Sequence, residues 1–259
     1  MHSVQKWNEA AAEYQKVFQS GMNEYSKELL CFLLDNEILQ PGCRVIDVGC
    51  GVGKYGTYFA ALGCDVTLTD ISAGMLEMAK QNMSRFDTPW TTLEGDFADM
   101  DPGHPALKDG FDLGISTMCP AIRELPSVKK FSGMIHGWCF ITHFTSWDEP
   151  IRRAFFEKLG IRPEEDMGRF ARHMDGLIQA VKDAGYTPHV RHVPYSWSDD
   201  RTPEEAAAHL LNLFENLEIT DELKERAVSA ARALCNEDGM FVDRVDTTVA
   251  WVWWNTKGE

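Results

Sequence analysis

An acid followed by alternating glycines is the stretch of this chain best suited to bind a small charged or nucleotide-like ligand. Residues 45–53 read Val-Ile-Asp-Val-Gly-Cys-Gly-Val-Gly, so an apolar run meets Asp47 and then glycine at every second position, at 49, 51 and 53. Glycine lets the backbone approach a ligand that side chains would block. A helix that follows such a turn presents unpaired N–H groups and the positive end of its dipole. The stretch predicts a ligand site at a strand-to-helix turn.

The same glycines are compatible with other binding motifs. Gly51-Val-Gly53-Lys-Tyr-Gly56 satisfies the dinucleotide pattern G-x-G-x-x-G, and Asp70 lies about twenty residues on, as that pattern asks. A phosphate loop of the NTPase type is excluded, because Lys54 is followed by Tyr55 and not by Ser or Thr. A glycine-rich turn with packing duties only is the remaining alternative.

The elements around this turn alternate between strand and helix patterns. Helical spacing covers residues 4–37, and the predicted strands are 44–48, 65–69, 91–94, 111–117, 137–144, 188–197 and 240–254. Such alternation predicts an α/β fold, with a doubly wound, mostly parallel seven-stranded sheet and helices on both faces. Two helical segments, 203–216 and 220–235, form an insertion before the last strand.

We therefore predict a single domain over residues 1–259. It comprises an N-terminal helical cap (1–40), a ligand-binding core (41–198), a helical insertion that would cover the substrate (199–238) and a final strand (239–259).

Ligands of doubly wound sheets bind at the carboxyl ends of the strands, so the residues that follow each strand matter most. Asp70 and Ile71 follow the second strand, Asp96 and Phe97 follow the third, and Ser116 lies at the end of the fourth. Together with the acid-x-Gly-x-Gly-x-Gly run, this series resembles the motifs of the class I (Rossmann-like) S-adenosylmethionine (SAM)-dependent methyltransferases. The resemblance covers about residues 5–145. A dinucleotide enzyme would explain the glycines and Asp70, but not Asp47 or Asp96.

The resemblance implies that SAM is the cofactor and S-adenosylhomocysteine (SAH) the product. Asp70 would bind the ribose hydroxyls, Asp96 the adenine amino group, and Asp47 would help to orient the ligand's ammonium group. The full set of implied cofactor-binding residues is Tyr14, Asp47, Gly49, Gly51, Gly53, Asp70, Ile71, Asp96, Phe97 and Ser116. Among them Tyr14 would belong to an aromatic N-terminal cap over the cofactor, Ile71 would pack on the adenine, and Phe97 and Ser116 would contribute backbone contacts.

The methyl acceptor is expected near the loops after strands four and five. Cys119-Pro120 stands where enzymes that methylate nucleobase or glutamine amino groups often carry Asn/Asp-Pro-Pro-aromatic, which disfavours that class. Period-two alternation places Cys139, Ile141 and His143 on one face of the fifth strand. We predict His143 as a base or acceptor-orienting group and Cys119 as a second catalytic candidate. A soft-metal or thiophilic site of Cys119, Cys139 and His143 is a weaker alternative than core packing, and we predict no metal.

The composition of the chain indicates which classes of binding partner to expect. The net charge of −15 opposes binding to phosphate backbones, so nucleic acid is not expected as a partner. No stretch approaches the roughly 20 apolar residues that span a bilayer, and the first residues lack a secretory apolar region, so we expect a cytoplasmic protein without a membrane partner. Seven cysteines without a C-x-x-C pair do not indicate a disulfide framework or a zinc ribbon.

The sequence thus predicts a SAM-dependent methyltransferase that acts on a small molecule, as a monomer or homodimer. Two alternatives stay open. One is a SAM-binding protein of the same fold with other chemistry or a sensing role, and the other is a protein-directed methyltransferase that docks its partner through the helical insertion.

Overall fold

The computed structural model describes residues 4–161, 168–213 and 218–258. Its helices are α1 (Val4–Gln19), α2 (Glu24–Asp35), α3 (Lys54–Ala61), α4 (Ala73–Met83), α5 (Leu125–Gly133), α6 (Pro150–Leu159), α7 (Gly168–Asp183), α8 (Pro203–Leu211) and α9 (Asp221–Arg232). Its strands are β1 (Arg44–Val48), β2 (Asp65–Asp70), β3 (Trp90–Glu94), β4 (Phe111–Thr117), β5 (Ile135–Asp148), β6 (His189–Arg201) and β7 (Phe241–Asn255).

The strands form one seven-stranded sheet in the order β3-β2-β1-β4-β5-β7-β6. β1 pairs in parallel with β2 and with β4, and the parallel ladder continues to β3 on one side and to β5 on the other. The prediction of a mostly parallel seven-stranded sheet is therefore confirmed. The strand order reverses between β1 and β4, which is where doubly wound sheets open a crevice for a ligand.

The chain divides into two compact units. The first contains the described parts of residues 1–143, 172–192 and 250–259, and the second those of 144–171 and 193–249. The predicted single domain and its limits at 41, 199 and 239 stay predictions, since the compact units follow different boundaries.

The first unit holds its strands in a continuous apolar core. Val45, Ile46 and Val48 of β1 are 1% exposed or less, because a central parallel strand is covered on both faces. Ile46 and Val48 belong to a buried cluster that includes side chains from α5, α7 and the end of β7. This packing fixes the carboxyl ends of β1 and β4.

The second unit has a separate core, formed by side chains of α6, α8 and α9 with Phe241 of β7. Among the described residues of this unit one charged side chain is buried: Asp243 is 1% exposed and forms ion pairs with Arg152 at 2.8 Å and with Arg201 at 3.4 Å. Across the described segments of the chain, no helix combines the length and the apolar character that a bilayer crossing requires.

The elements differ from the sequence prediction in several places; β6, for example, runs four residues beyond its predicted end, to Arg201. Helices α5 and α6 were not predicted, although Pro126 and Pro150 stand in their first turns and Gly160 ends α6 with a left-handed backbone. β5 runs four residues beyond its predicted end, to Asp148. α8 ends at Leu211, and the last part of the predicted helix 203–216, like the predicted start of α7 at Met167, lies outside the described residues.

Candidate active site

The glycine run forms a tight turn between β1 and α3. Gly49, Gly51 and Gly53 all have positive φ angles, of 74°, 54° and 77°. A Cβ atom at Gly49 would lie 2.2 Å from Sγ of Cys119, so this position needs glycine for space as well as for backbone conformation. The backbone N–H groups of Gly49 and Cys50 both donate to the carbonyl of Thr69, which holds the turn against the end of β2.

Asp70 joins the glycine turn to the start of α4. One carboxylate oxygen accepts from the N–H of Gly51 at 2.9 Å, and the other accepts from the N–H of Ser72 at 2.9 Å. Burial raises the pKa of Asp70, while these backbone donors act against the rise. Because each carboxylate oxygen has two lone pairs, Asp70 keeps capacity for further donors such as hydroxyl groups. The side chain thus has a structural role and also fits the predicted ribose site.

Asp47 is a buried acid without an internal partner. It is 0% exposed, and within the described residues neither of its carboxyl oxygens accepts a hydrogen bond. Burial, reinforced by the charge of Asp70, raises the pKa of Asp47 to about 8. A buried polar group that lacks a partner is costly and uncommon in native proteins. A cationic group of a bound ligand would satisfy this carboxylate, as the sequence predicted for the ammonium group of SAM.

Ser116 ties the ends of two neighbouring strands together. Its buried hydroxyl donates to the carbonyl of Val48 at 2.9 Å, which joins the end of β4 to the end of β1. This bond occupies the hydroxyl, so the predicted contribution of Ser116 to a cofactor is a backbone one, as the resemblance implied.

The residues that follow β2 and β3 differ in burial: Ile71 and Asp96 are partly accessible, whereas Phe97 lies in the core. Ile71 and Asp96 are half-buried, and one carboxylate oxygen of Asp96 accepts from the N–H of Ala98 at 2.9 Å. Phe97 is 3% exposed and packs edge-to-face on Phe131 with ring centroids 6.1 Å apart. The side chain of Phe97 is therefore a core anchor, and only its backbone can serve a ligand.

The N-terminal helix α1 is attached to α4 by a polar side chain that the sequence analysis did not identify. Oδ1 of Asn8 accepts from the hydroxyl of Ser72 at 2.7 Å and from the N–H of Gly74 at 2.9 Å. Tyr14 lies on the same helix, where it is 47% exposed and contacts Trp7 edge-to-face at 6.2 Å.

A second attachment of α1 reaches the glycine turn. The side-chain amides of Gln15 and Asn82 donate to each other at 2.8 Å, and Nδ2 of Asn82 also donates to the carbonyl of Val52 at 2.8 Å. Helix α1 is therefore fixed to both α4 and the glycine turn, and it is in position to carry Tyr14 as part of a cap.

His143 and Cys119 line one pocket, which we call the acceptor pocket. It is a small pocket, partly open to solvent, and its lining residues are Cys119, Pro120, Ile122, Arg123, Ile141, His143, Met174 and Leu177. Ile141 and His143 contribute to the same pocket, in agreement with the predicted alternation along β5. Cys139 is instead fully buried in the core. In the described part of the chain no three His, Cys, Asp or Glu residues are arranged to hold a metal ion.

Cys119 is poorly suited to the catalytic role predicted for it. Burial, together with the nearby acids Asp70 and Asp47, raises the pKa of its thiol to about 12. The thiolate is the reactive form of cysteine, so a thiol that stays protonated at neutral pH is neither a base nor a nucleophile. Cys119 instead fills the space above Gly49 and forms the border between the glycine turn and the acceptor pocket. The catalytic role of Cys119 stays a prediction, and His143 is the stronger catalytic candidate.

Arg123 is a functional candidate that the sequence analysis missed. It is half-buried in the loop between β4 and α5 and lines the acceptor pocket. Its position directly after the fourth strand, in a chain with a large acid excess, is the signal that could have identified it.

Comparisons with known proteins agree with this geometry. Residues 45–138 match the family described as "Methyltransferase domain". The chain is 28% identical over 132 residues to a demethylmenaquinone methyltransferase of Tropheryma whipplei, covering 46% of this chain and 52% of that protein. It is 39% identical over 67 residues to a ribosomal protein L11 methyltransferase of Acetivibrio thermocellus, covering 26% of this chain and 21% of the relative. The chain thus spans between a fifth and about half of these relatives.

A solved structure extends the likeness to nearly the whole chain. The phosphoethanolamine N-methyltransferase 2 of Haemonchus contortus, in complex with phosphomonomethylethanolamine and SAH, superposes with a TM-score of 0.52 at 14% identity. The alignment covers 98% of this chain and 60% of that one. At this identity the likeness shows the fold. The family match over residues 45–138 and the strand order agree with the resemblance to the class I SAM-dependent methyltransferases, whose methyl donor is SAM.

Proposed function

We propose that the protein transfers the methyl group of SAM to a small molecule bound in the acceptor pocket. The observation that carries this proposal is the position of Cys119, whose side chain packs on Gly49 of the cofactor turn and also lines the pocket. A pocket that adjoins the donor site is what methyl transfer needs, since the acceptor atom must lie about 3 Å from the methyl carbon.

The residues on the cofactor side fit SAM in chemical type. When bound, SAM supplies an electrophilic methyl group on a positively charged sulfur. The unpartnered carboxyl of Asp47 would pair with the ammonium group of the ligand, and Asp70 would accept from the ribose hydroxyls while it holds the Gly51 backbone. Ile71, Asp96 and the backbone of Phe97 would contact the adenine, and Tyr14 would cover it from α1.

On the acceptor side we assign His143 to orient the acceptor or to remove its proton. His143 lies within β5, lines the pocket and is half-buried, so its imidazole can reach a bound molecule. Imidazole is the side chain most often used for proton transfer near neutral pH. The apolar side chains Ile122, Ile141 and Leu177 would exclude water around the reacting atoms.

The acceptor class rests on chemical argument. The named activity of the menaquinone-pathway relative, demethylmenaquinone methylation, supports a small organic acceptor, and the net charge of −15 works against RNA. A protein acceptor is the second candidate, supported by the L11 methyltransferase relative over 26% of this chain. Cytoplasmic location and a monomeric or homodimeric state stay predictions.

Two measurements test the proposal. Calorimetric titration with SAM, SAH and NAD should show binding of the first two alone, and no heat with SAM at millimolar concentration would refute it. SAH release should then be screened against small-molecule acceptors and, in parallel, against ribosomal proteins. Turnover limited to the protein substrates would replace our proposal with the second candidate, and an undiminished rate in His143→Ala would remove the role assigned to that residue.

A further inference from the structure

Among the described residues that line the acceptor pocket, Arg123 alone carries a permanent positive charge, and we propose that its guanidinium binds an anionic oxygen group, a carboxylate or a phosphate, on the methyl acceptor. This inference rests on the proposed function for the identity of the ligand as acceptor. The binding of an anion at Arg123 can nevertheless be measured without it.

The first support is the lack of an internal partner. Within the described residues Arg123 takes part in no ion pair, and its side chain makes no hydrogen bond, although the chain carries 40 acids and only 25 Lys and Arg residues. Other arginines of the chain do have acidic partners, as Arg44 has with Asp65 and Arg191 with Glu28. A partly buried charge without a partner is costly, and an anionic ligand would offset that cost.

The second support is that the backbone of Arg123 is held in place. The hydroxyl of Ser127 accepts from the N–H of Arg123 and from the N–H of Glu124, both at 3.2 Å, and donates to the carbonyl of Glu124 at 2.8 Å. Arg123 therefore stands at the N-terminal end of α5, where the helix dipole adds positive potential. A fixed backbone reduces the entropy lost when the guanidinium closes on a ligand.

The third support is that Arg123 is surrounded in the pocket wall by apolar side chains. Ile122, Ile141 and Leu177 are each 2% exposed or less, and they offer only apolar surface to a ligand. A guanidinium suits carboxylate and phosphate groups because its planar N–H fork donates two parallel hydrogen bonds. The chemical character of the pocket wall therefore suits a small acid with an apolar body and one anionic end, with His143 as the second polar contact.

Benzoate, phenyl phosphate and the neutral analogue benzamide probe this inference directly. Each is titrated into ligand-free protein and into protein saturated with SAH, with the His143 imidazole resonances as the readout. We expect one of the two anions to bind at least about tenfold more tightly than benzamide, the scale of one charge-assisted hydrogen-bonded contact. The comparison of benzoate with phenyl phosphate identifies which anionic group the site takes.

Variants separate Arg123 from general electrostatics. Arg123→Gln should abolish the preference for the anion, and Arg123→Lys should keep part of it, because lysine retains the charge but not the planar fork. Lys129→Gln is the matched control, since Lys129 is exposed on α5 and absent from the pocket lining. A folded Arg123→Lys protein keeps the test valid if Arg123→Gln does not fold.

The outcomes distinguish this inference from the proposed function. If SAM binds but the anions bind no better than benzamide, or do not bind at all, the Arg123 inference is wrong and the proposed function stands. If the anion preference depends on Arg123 while SAM does not bind, the site exists but the proposed function fails.

Discussion

Two buried carboxylates, one in each compact unit, have opposite surroundings. Asp243 is 1% exposed, and both of its oxygens accept from Nε of Arg152 at 2.9 Å, with Arg201 as a further partner. Asp47 is 0% exposed and has no hydrogen-bond partner among the described residues. Burial of either acid costs solvation energy, but only Asp243 recovers that cost inside the fold.

This difference separates a structural acid from a binding acid. A buried charge that is paired with another side chain stabilises the folded state, and its hydrogen-bonding groups are no longer available to a ligand. An acid that is buried without a partner weakens the ligand-free protein, so it is retained only where something from outside completes it. We therefore attribute a structural role to Asp243 and propose a ligand-binding role for Asp47. Three experiments test that assignment, and a fourth, at Gly49, tests the packing of the glycine turn that follows Asp47.

The largest effect is expected from Arg152→Met. This change leaves Asp243 buried with only the more distant Arg201, and removal of one partner of a buried pair typically costs about 3–5 kcal/mol. The free energy of unfolding of the second unit should fall by about that amount, measured by urea denaturation. Arg153→Met is the matched control: Arg153 pairs with Asp148 at the surface, where both side chains are about half exposed, and its loss should cost less than about 1 kcal/mol. Equal effects of the two changes would contradict the structural role of the Asp243 pair.

Gly49→Ala should have the next largest effect. A new Cβ would enter the space of the Cys119 side chain and would also stand at a φ of 74°, so overpacking and backbone strain together should cost about 2–4 kcal/mol. Gly51→Ala is the control with strain alone, since the nearest atom to its Cβ would be Sδ of Met75 at 4.0 Å. Unfolding curves of the two variants should differ, and the double change Gly49→Ala with Cys119→Gly should recover part of the loss. No recovery would mean that Cys119 is not the obstacle.

Asp47→Asn should act on the ligand more than on the fold. We expect SAM affinity to fall about 10–100-fold, because a charge-assisted hydrogen bond to the ammonium group is lost. At pH 8.5, the free energy of unfolding of the ligand-free variant should equal or exceed that of the natural protein. Calorimetry and denaturation together check both parts. A variant that unfolds easily but binds SAM normally would reverse the assignment and make Asp47 structural.

The pH dependence of stability should give the smallest effect when it is counted for each unit of pH. An unfolded Asp loses its proton near pH 4, whereas Asp47 in the folded, ligand-free protein keeps it to about pH 8. Between these values the folded state binds more protons, so the contribution of Asp47 to stability falls as pH rises, by at most about 1.4 kcal/mol per pH unit. Denaturation at pH 5, 6, 7 and 8 should show this decline in the natural protein relative to Asp47→Asn. Parallel pH profiles would show that Asp47 ionises normally.

Local signals predicted most of the fold and supplied the candidate residues on the cofactor side of the site, which stay predictions. The apolar run before Asp47 and the alternating glycines form a short continuous pattern. The strands could be predicted because each is a short segment rich in apolar or β-branched residues. Helices α5 and α6 were missed because nine- and ten-residue helices show little periodicity, although Pro126, Pro150 and Gly160 marked their ends.

What the sequence could not supply depends on contacts between distant residues. The thiol of Cys119 appeared catalytic until its packing against Gly49, 70 positions earlier, showed why its proton is retained. Arg123 received no role in the sequence analysis, because only the folded loop places it in a pocket with His143. Whether a side chain is buried, and whether it has a partner, depends on residues far away in the sequence. The spacing of neighbouring residues does not indicate it.

The single oxygen of Asn8 that serves two donors of α4 makes the two helices one cooperative unit. When α1 detaches, the N–H of Gly74 and the hydroxyl of Ser72 both lose their acceptor, so local opening of α1 also loosens the first turn of α4. Ser72 in turn donates its own N–H to Asp70. Amide hydrogen exchange at Gly74 would therefore report on the opening of α1, and the rate of that opening sets an upper limit on how fast a ligand held beneath α1 can leave.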